Sequence, residues 1–516
     1  MKRRNFLKTA SASTLASGLI STTAYSFVPA HKWDRYDFGS RPPVKDRLNQ
    51  GPFPIYPPEE VVPGSAVVMA TTPSKEIVNN YGMGLIVYIS GDLGPPVIKG
   101  ESMEKSLEDL IKIPFAQKIY IRPDWRDIQK RPGKLDFPDY WKITFDLAKQ
   151  YNKAVGFRIM LENPDIPELG MPDFLMQKVP YVKLKGEWRR NRPSIRSSKE
   201  HKMPRYDHPD YQTAFRELNA LLADALNGNP LVEFMDTFMY GFWGEGHSWP
   251  FEGNPFPDDV TAEETFIQMF ETQLEHWTKI PLVTNTQPDF SRVGNSELVD
   301  RTIRSHNWLR TDTIFIENMQ IESLSNRPPW IAAVSEIGLR TVDRLVEDEG
   351  VDINENIISH AIDIGANYWS LWNWHNIAAK HILDYYEKNP EPIDHIARCI
   401  GYRIRPSWIW HFEKEEHPGL VMGFVNDGIT GVPGVLRITV LSTQGQVLAS
   451  GCLDPGYPLP RGVCQALFML PKGTDWKGLR IKAELEIKGV RHPLNWACHQ
   501  KCNSDGTLTL KPTNGV

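Results

Sequence analysis

The first 398 residues contain no cysteine; all five, Cys399, Cys452, Cys464, Cys498 and Cys502, fall in the last quarter of the chain. No two form a Cys-x-x-Cys pair, so a structural zinc site of the usual spacing is excluded. His208 and His306 have no ligand spacing, which disfavours a metal hydrolase, and no metal or other cofactor is called for. There is no Gly-x-Ser-x-Gly elbow, which argues against a serine esterase. No Gly-rich phosphate loop follows the first strand-like run, which argues against an open dinucleotide-binding sheet. A net charge of -5 on 516 residues lacks the basic excess that general nucleic-acid binding needs. No segment reaches about 18 consecutive apolar residues, so no stable membrane span is expected.

What is present is the composition of a folded, water-compatible protein: 41% hydrophobic and 23% charged residues, with a mean hydropathy of -0.39. The length implies more than one domain. Aromatics make up 11% of the chain, including 16 Trp. Indole faces often stack on the C–H faces of sugars, although large barrels also bury many tryptophans.

Four regions are expected. Residues 1–26 read as a signal peptide of the twin-arginine type. Lys2-Arg3-Arg4-Asn5-Phe6-Leu7-Lys8 precedes a mildly apolar stretch, Thr9 to Thr23, and Ala24-Tyr25-Ser26 offers a small-x-small cleavage site. The mature protein is therefore expected outside the cytoplasm, periplasmic or extracellular, where a disulfide such as Cys452–Cys464 is plausible. Residues 27–80 form a Pro-rich extended lead. Residues 81–403 alternate short β-branched or aromatic runs with amphipathic stretches, the pattern of βα units. The expected strands are Met83–Ile89, Lys118–Arg122, Ala154–Leu161, Glu233–Tyr240, Pro281–Thr284, Thr313–Ile316, Ile331–Val334 and Asn367–Leu371. Helical spacing is clearest in Pro138–Gln150 and Tyr211–Leu226. Eight strands with intervening helices predict an α/β fold, a (β/α)8 TIM barrel. Residues 404–516 show only short strands and turn signals such as Asn426-Asp427-Gly428, and predict an all-β sandwich.

Catalytic groups of such a barrel sit at the C-terminal ends of its strands. The fourth strand runs out into Tyr240-Gly241-Phe242-Trp243-Gly244-Glu245-Gly246-His247. Glycines beside Glu245 let backbone approach a ligand, and apolar neighbours raise a carboxyl pKa, as a general acid at neutral pH requires. Trp243 offers a stacking face, and His247 either orients Glu245, binds sugar or fills the loop. The seventh strand ends on Glu336, a carboxylate closing an apolar run. Glu317 stands in the same position after the expected sixth strand and is the alternative partner. Arg122 closes the second strand, Arg158 lies near the end of the third, and Asn285 follows the fifth; each is a candidate substrate contact, with barrel salt bridges the competing reading for the arginines.

These residues resemble clan A glycoside hydrolases, especially beta-galactosidase-like members. In that clan the acid/base Glu follows strand four and the nucleophile Glu follows strand seven, which implies Glu245 and Glu336 here. A Trp commonly follows strand eight, as Trp372 and Trp374 do in Tyr368-Trp-Ser-Leu-Trp-Asn-Trp374. The stretch from Asp124-Trp125-Arg126 to Pro132-Gly133-Lys134-Leu135-Asp136-Phe137, and Met171-Pro172-Asp173-Phe174-Leu175, are similar to that clan's early segments. Trp125 joins the substrate candidates on this ground. Where the clan carries Asn-Glu, this chain has Gly244-Glu245. Trp-Gly-Glu-x-His followed by a sandwich looks like barrels with a C-terminal domain of unknown function.

The resemblance implies a retaining glycosidase acting on a poly- or oligosaccharide, with carboxyls about 5 Å apart. A barrel that binds carbohydrate without cleaving it is the alternative, and an interaction scaffold acting through the sandwich is a third. Between Lys183 and Arg205 lie nine basic residues, among them Arg189, Arg190, Arg192 and Arg196, against Glu187 and Glu200. Such a segment at a barrel mouth predicts an anionic substrate, uronate-containing or sulfated. A solvated loop is the other reading.

Overall fold

A computed structural model describes residues 66–89, 94–166, 169–188, 198–286, 295–311, 324–336, 353–371, 378–414 and 417–511. The expected signal peptide lies outside the described residues, as does most of the lead. The one described part of the lead that forms regular structure is β1 (Ala66–Ala70).

The barrel strands are β2 (Gly84–Tyr88), β3 (Lys118–Ile121), β4 (Ala154–Phe157), β7 (Val232–Asp236), β9 (Leu282–Asn285), β10 (Trp308–Thr311), β11 (Ala333–Ser335) and β12 (Tyr368–Ser370). They pair in that order, all parallel, and β12 closes on β2. This is the expected (β/α)8 barrel. Its strands are short and buried on both faces, as parallel strands covered by helices must be. The helix Asp139–Gln150 turns Trp141, Thr144, Leu147 and Ala148 inward at helical spacing. The helix Pro209–Leu226 starts on Pro209, whose fixed φ suits a first turn, and the side chain of His208 caps Asp210 N–H. Inside the barrel, a Cβ at Gly156 would stand 2.2 Å from the Phe234 ring. Glycine there lets the ring fill the barrel axis.

One strand differs from expectation. The sixth is Trp308–Thr311, not Thr313–Ile316, which lies outside the described residues. The chain tolerates Arg310 inside a barrel strand because the barrel mouth supplies three carboxylates to receive it.

Between β4 and β7, β5 (Tyr181–Trp188) and β6 (Ser198–Pro204) form an antiparallel hairpin that β8 (Phe251–Glu252) extends. The C-terminal region has two antiparallel sheets. One runs β1, β13 (Ile404–Lys414), β14 (His417–Asn426), β17 (Val463–Met469). The other runs β16 (Val447–Cys452), β15 (Val435–Leu441), β18 (Arg480–Ile487), β19 (Val490–Pro493), with β20 (Leu508–Thr509) on β18. In β18, inward Ile481, Ala483, Leu485 and Ile487 alternate with more exposed residues, the period-two signature of a sandwich.

The sandwich closes the bottom of the barrel, the end where the strands begin. Trp308, Tyr368, Phe234 and Met83 share one apolar cluster with Val432, Leu436 and Ile438. At that junction Lys118 Nζ pairs with Glu233 at 2.7 Å, and Tyr368 O–H donates to Glu233 at 2.8 Å. Lys488 Nζ, from the β18–β19 turn, donates to Asn307 Oδ1 at 2.7 Å. Charges at the bottom thus serve the joint between domains, and the opposite end holds a different charged cluster. Among the described residues no helix is long and apolar enough to cross a membrane, and all five cysteines, Cys452 and Cys464 included, are free thiols.

Candidate active site

Glu245 stands on a loop whose shape is fixed by its own backbone. After β7 the chain doubles back. Met239 N–H donates to Gly244 O, Phe242 N–H to His247 O and Gly246 N–H to Tyr240 O, all at 2.9 Å. Gly241, Gly244 and Gly246 all have positive φ, which only glycine adopts without strain. A Cβ at Gly241 would meet His247 O at 2.1 Å, and one at Gly246 would press on Phe266 at 3.1 Å. These glycines therefore serve the loop's packing on itself, not the approach of a ligand. Trp243 takes a left-handed φ of 54° and hangs from Glu162 O by its backbone N–H at 2.9 Å.

The loop delivers Glu245 into a cluster of buried charges at the barrel mouth. Its Oε1 accepts from Arg158 at 2.9 Å and from Arg310 at 3.1 Å, and Arg122 lies 4.0 Å away. Its Oε2 lies 3.3 Å from His247 Nε2. Arg310 is the hub. Its Nη1 donates to Glu336 Oε2 at 2.5 Å and its Nε pairs with Asp236 Oδ2 at 3.0 Å. Asp236, at the end of β7, is 0% exposed; it also accepts from Tyr120 O–H at 2.6 Å and lies 3.6 Å from Arg158. Arg122 lies over the Tyr88 ring, 5.5 Å from its centre. Three guanidiniums from three strand ends thus face three carboxylates from two others.

Because Glu245 and Glu336 bind the two outer nitrogens of one planar guanidinium, their contacting oxygens are no more than about 8 Å apart. That range admits a direct nucleophile as well as a base acting through water. Beside them Tyr88, Tyr120, Arg310, Ser335, Glu336 and Ser370 line a hollow of about 20 Å³, room for a single water among the described residues.

The ionisation of Glu245 is the reverse of the sequence expectation. Burial alone would raise its pKa. Arg158, the His247 hydrogen bond and Arg310 outweigh burial and hold the carboxyl well below the usual carboxylate range. Glu245 is a carboxylate at neutral pH. The apolar residues beside it in sequence are real, but the arginines that decide its charge come from other strands.

Of the other candidates, Arg122, Arg158 and His247 join Glu245 and Glu336, and Trp243 is half-buried with its ring 5.8 Å from that of His247. Asn285 ends β9 in register with Arg310. Trp125 does not belong to the site. It is fully buried, donates from Nε1 to Gln129 at 2.7 Å and meets Tyr211 edge-on, so it packs the core beneath the loops. Glu317, Trp372 and Trp374 lie outside the described residues. Sequence reasoning missed Arg310, Asp236 and Tyr120. A lone Arg in an otherwise apolar strand was the available signal for Arg310. Asp236 and Tyr120 carried none, because strand ends hold polar residues routinely.

The basic segment is the β5–β6 hairpin. Three of its described charges are engaged locally: Lys183 pairs with Glu200 at 3.0 Å, Arg205 with Asp207 at 2.7 Å, and Lys202 lies over the Tyr181 ring. Arg189, Arg190, Arg192 and Arg196 lie outside the described residues. No group of three or more His, Cys, Asp or Glu able to hold a metal occurs among the described residues.

No family model matches the chain, and no curated protein matches it. Solved structures with a similar course include the catalytic domain of beta-amylase from Paenibacillus polymyxa. It is 10% identical, with 60% of this chain and 98% of that one covered and a TM-score of 0.40. Endo-glycoceramidase II from Rhodococcus sp. is 11% identical over 78% of this chain and 100% of that one, with a TM-score of 0.36. A glycoside hydrolase family 30 subfamily 8 xylanase from Clostridium acetobutylicum is 10% identical over 78% and 98%, with a TM-score of 0.34. Likenesses this distant decide nothing about activity. The barrel rests on its own strand pairing, and the function must be argued from the mouth.

Proposed function

We propose that the protein is a glycoside hydrolase that cleaves a poly- or oligosaccharide after export, using Glu245 and Glu336. The observation that supports this reading is their convergence: two carboxylates from separate strand ends meet on the one guanidinium of Arg310. Glycoside hydrolysis needs such a pair, one carboxyl to protonate the leaving oxygen and one carboxylate to attack or to activate water. Environments that differ set the roles. Glu245 has Arg158, Arg310 and His247 against it, and together they hold it ionised. With Glu245 held as the carboxylate, the role of acid falls to Glu336. In this assignment Glu336 is the acid and Glu245 the nucleophile or base, opposite to the order that clan resemblance implies. Trp372 and Trp374 are the proposed sugar floor, with Trp243 and Asn285 at the rim.

The test is a panel of aryl glycosides and plant or algal polysaccharides, run with wild type, Glu245→Gln and Glu336→Gln. Turnover by wild type and its loss in both variants supports the reading. A barrel that binds sugar without cleaving it is the second reading, favoured by the fact that each carboxylate of the pair is bonded to arginine. Saturable sugar binding with no turnover on any glycoside would establish that reading instead.

A further inference from the structure

Cys498 and Cys502 are separated by three residues, and their thiols hydrogen-bond to one another. Cys498 is buried and also points its Sγ at Gln500 O, 3.7 Å away, while Cys502 is half-buried at the edge of the same apolar cluster. The turn that carries them fastens the N-terminal strand to the sandwich. Pro73 and Cys498 form an antiparallel bridge, and His499 N–H donates to Thr72 O at 2.9 Å. Gln500 bonds both ways, from Nε2 to Ala70 O and from Thr72 N–H to its Oε1, each at 3.2 Å. A few residues on, Asn80 and Asn495 exchange hydrogen bonds and Tyr81 stacks on His492 at 3.6 Å, just before the chain enters the barrel at β2.

We propose that Cys498 and Cys502 are a redox-active pair that closes into a disulfide and locks this clasp. The assignment is independent of what the barrel does. Three features single out the pair. The two side chains are within hydrogen-bonding reach of one another at one apolar cluster. Cys502 is the reachable one, with exposed Lys501 beside it. The hydrogen bond from Cys498 brings the Cys502 thiol down to about 7, so much of it is thiolate at neutral pH. Burial holds Cys464 up at about 12 and Cys399 at about 11, which makes them poor nucleophiles.

The oxidant is a small-molecule disulfide such as oxidised glutathione. The Cys502 thiolate attacks one of its sulfurs; a Cys502–glutathione bond forms, the glutathione S–S bond breaks, and one reduced glutathione leaves. The hydrogen bond to Cys502 is the chief cause that holds the Cys498 thiol up, and it is lost once Cys502 carries glutathione; Cys498 then gives its proton to water and attacks Cys502 Sγ, expelling the second reduced glutathione. Two protein thiols lose two electrons and two protons, and one glutathione disulfide gains them.

The test is oxidation of the folded, full-length chain with oxidised glutathione, followed by peptide mapping. We expect a mass loss of about 2 Da in one cross-linked peptide joining Cys498 to Cys502, with Cys399, Cys452 and Cys464 still thiols. Cys498→Ser should accumulate the glutathione adduct on Cys502, because the resolving thiol is gone. Reduction of the bridge should speed hydrogen exchange at the His499 amide by tenfold or more. A cross-link at Cys452–Cys464, or unreacted thiols at both Cys498 and Cys502 in wild type, would overturn the proposal without any variant having to fold.

Discussion

Arg310 Nη1 lies 2.5 Å from Glu336 Oε2, and the same guanidinium reaches Glu245 at 3.1 Å. One cation thus fixes the spacing of the two carboxylates and screens their repulsion. Replacing it with Gln removes the charge and leaves Asp236, Glu245 and Glu336 buried with one guanidinium fewer. Breaking a buried pair in this way costs about 3–5 kcal/mol. Arg310→Gln should therefore unfold at a clearly lower temperature and lose turnover. Arg310→Lys retains the charge without the fork, so it should recover much of the thermal stability and little of the activity. Calorimetry beside kinetics checks this; equal recovery of both by Lys would show that only the charge of Arg310 matters.

The roles proposed for the two glutamates differ in their dependence on the leaving group. Glu336→Gln should lose about 10²–10⁴-fold on a polysaccharide yet retain most activity on an aryl glycoside whose leaving group needs no proton. Glu245→Gln should lose activity on both, and added azide should restore part of it. If the pattern is exchanged between the two variants, the assignment reverts to the order seen in clan A. The pH profile gives a second check. A folded pKa held below the ordinary range keeps Glu245 ionised until the pH falls through that depressed value. The acid limb assigned to Glu245 should therefore lie below about 4, the ordinary value of a glutamate.

Asp236 pairs with Arg310 and lies beside Arg158, the two arginines that hold Glu245, so it acts on the pair through them. Tyr120→Phe removes one hydrogen bond to Asp236 without touching either glutamate. It should lower kcat with KM and fold retained, at a stability cost of about 1 kcal/mol. In an Arg310→Gln background the same change should have little further effect on kcat. Additive losses would show that Tyr120 acts by another route.

The fold was legible because hydrophobic periodicity survives without tertiary information. Strands Lys118–Ile121 and Ala154–Phe157 and the helix at Asp139–Gln150 lie where their apolar spacing puts them. The sixth strand escaped for a reason tied to the site. Thr313-Ile-Phe-Ile316 reads as a better strand than Trp308-Leu-Arg-Thr311, and the charge that spoils the latter pattern is the hub of the mouth. Local rules fail most readily where a residue is placed for function. The charge on Glu245 was illegible for a different reason. Arg158 and Arg310 are 87 and 65 residues away in sequence, and nothing local announces them.

An anionic substrate remains a proposal resting on Arg189, Arg190, Arg192 and Arg196, because Lys183 and Arg205 are already paired. Exposed charges are screened beyond about 8 Å at physiological ionic strength. KM for a uronate or sulfated polymer should therefore rise with salt, and neutralising Arg189, Arg190 and Arg192 together should flatten the rise. Preference for a neutral glycan, cut equally well by the triple variant, would dismiss the idea.

Glu162 offers a prediction that does not depend on catalysis. It follows β4, is 0% exposed, accepts Gly170 N–H at 2.9 Å and lies 3.4 Å from His201 Nε2. Burial raises its pKa well above the ordinary value; the Gly170 hydrogen bond and distant Arg126 only partly oppose this. A raised folded pKa means that its contribution to stability is fully present below the unfolded value, about 4.3, and is lost as pH rises through the folded value. Glutamine imitates the neutral acid in shape and hydrogen bonding. Glu162→Gln should then leave Tm almost unchanged near pH 5 and raise it relative to wild type at pH 8 and above. Were Glu162 and His201 instead an ion pair, the same substitution would strand a buried imidazolium and cost about 3–5 kcal/mol. Thermal unfolding of the two proteins from pH 5 to 9 separates these outcomes, and a large Tm loss in the variant at pH 7 would show that Glu162 is charged in the folded protein.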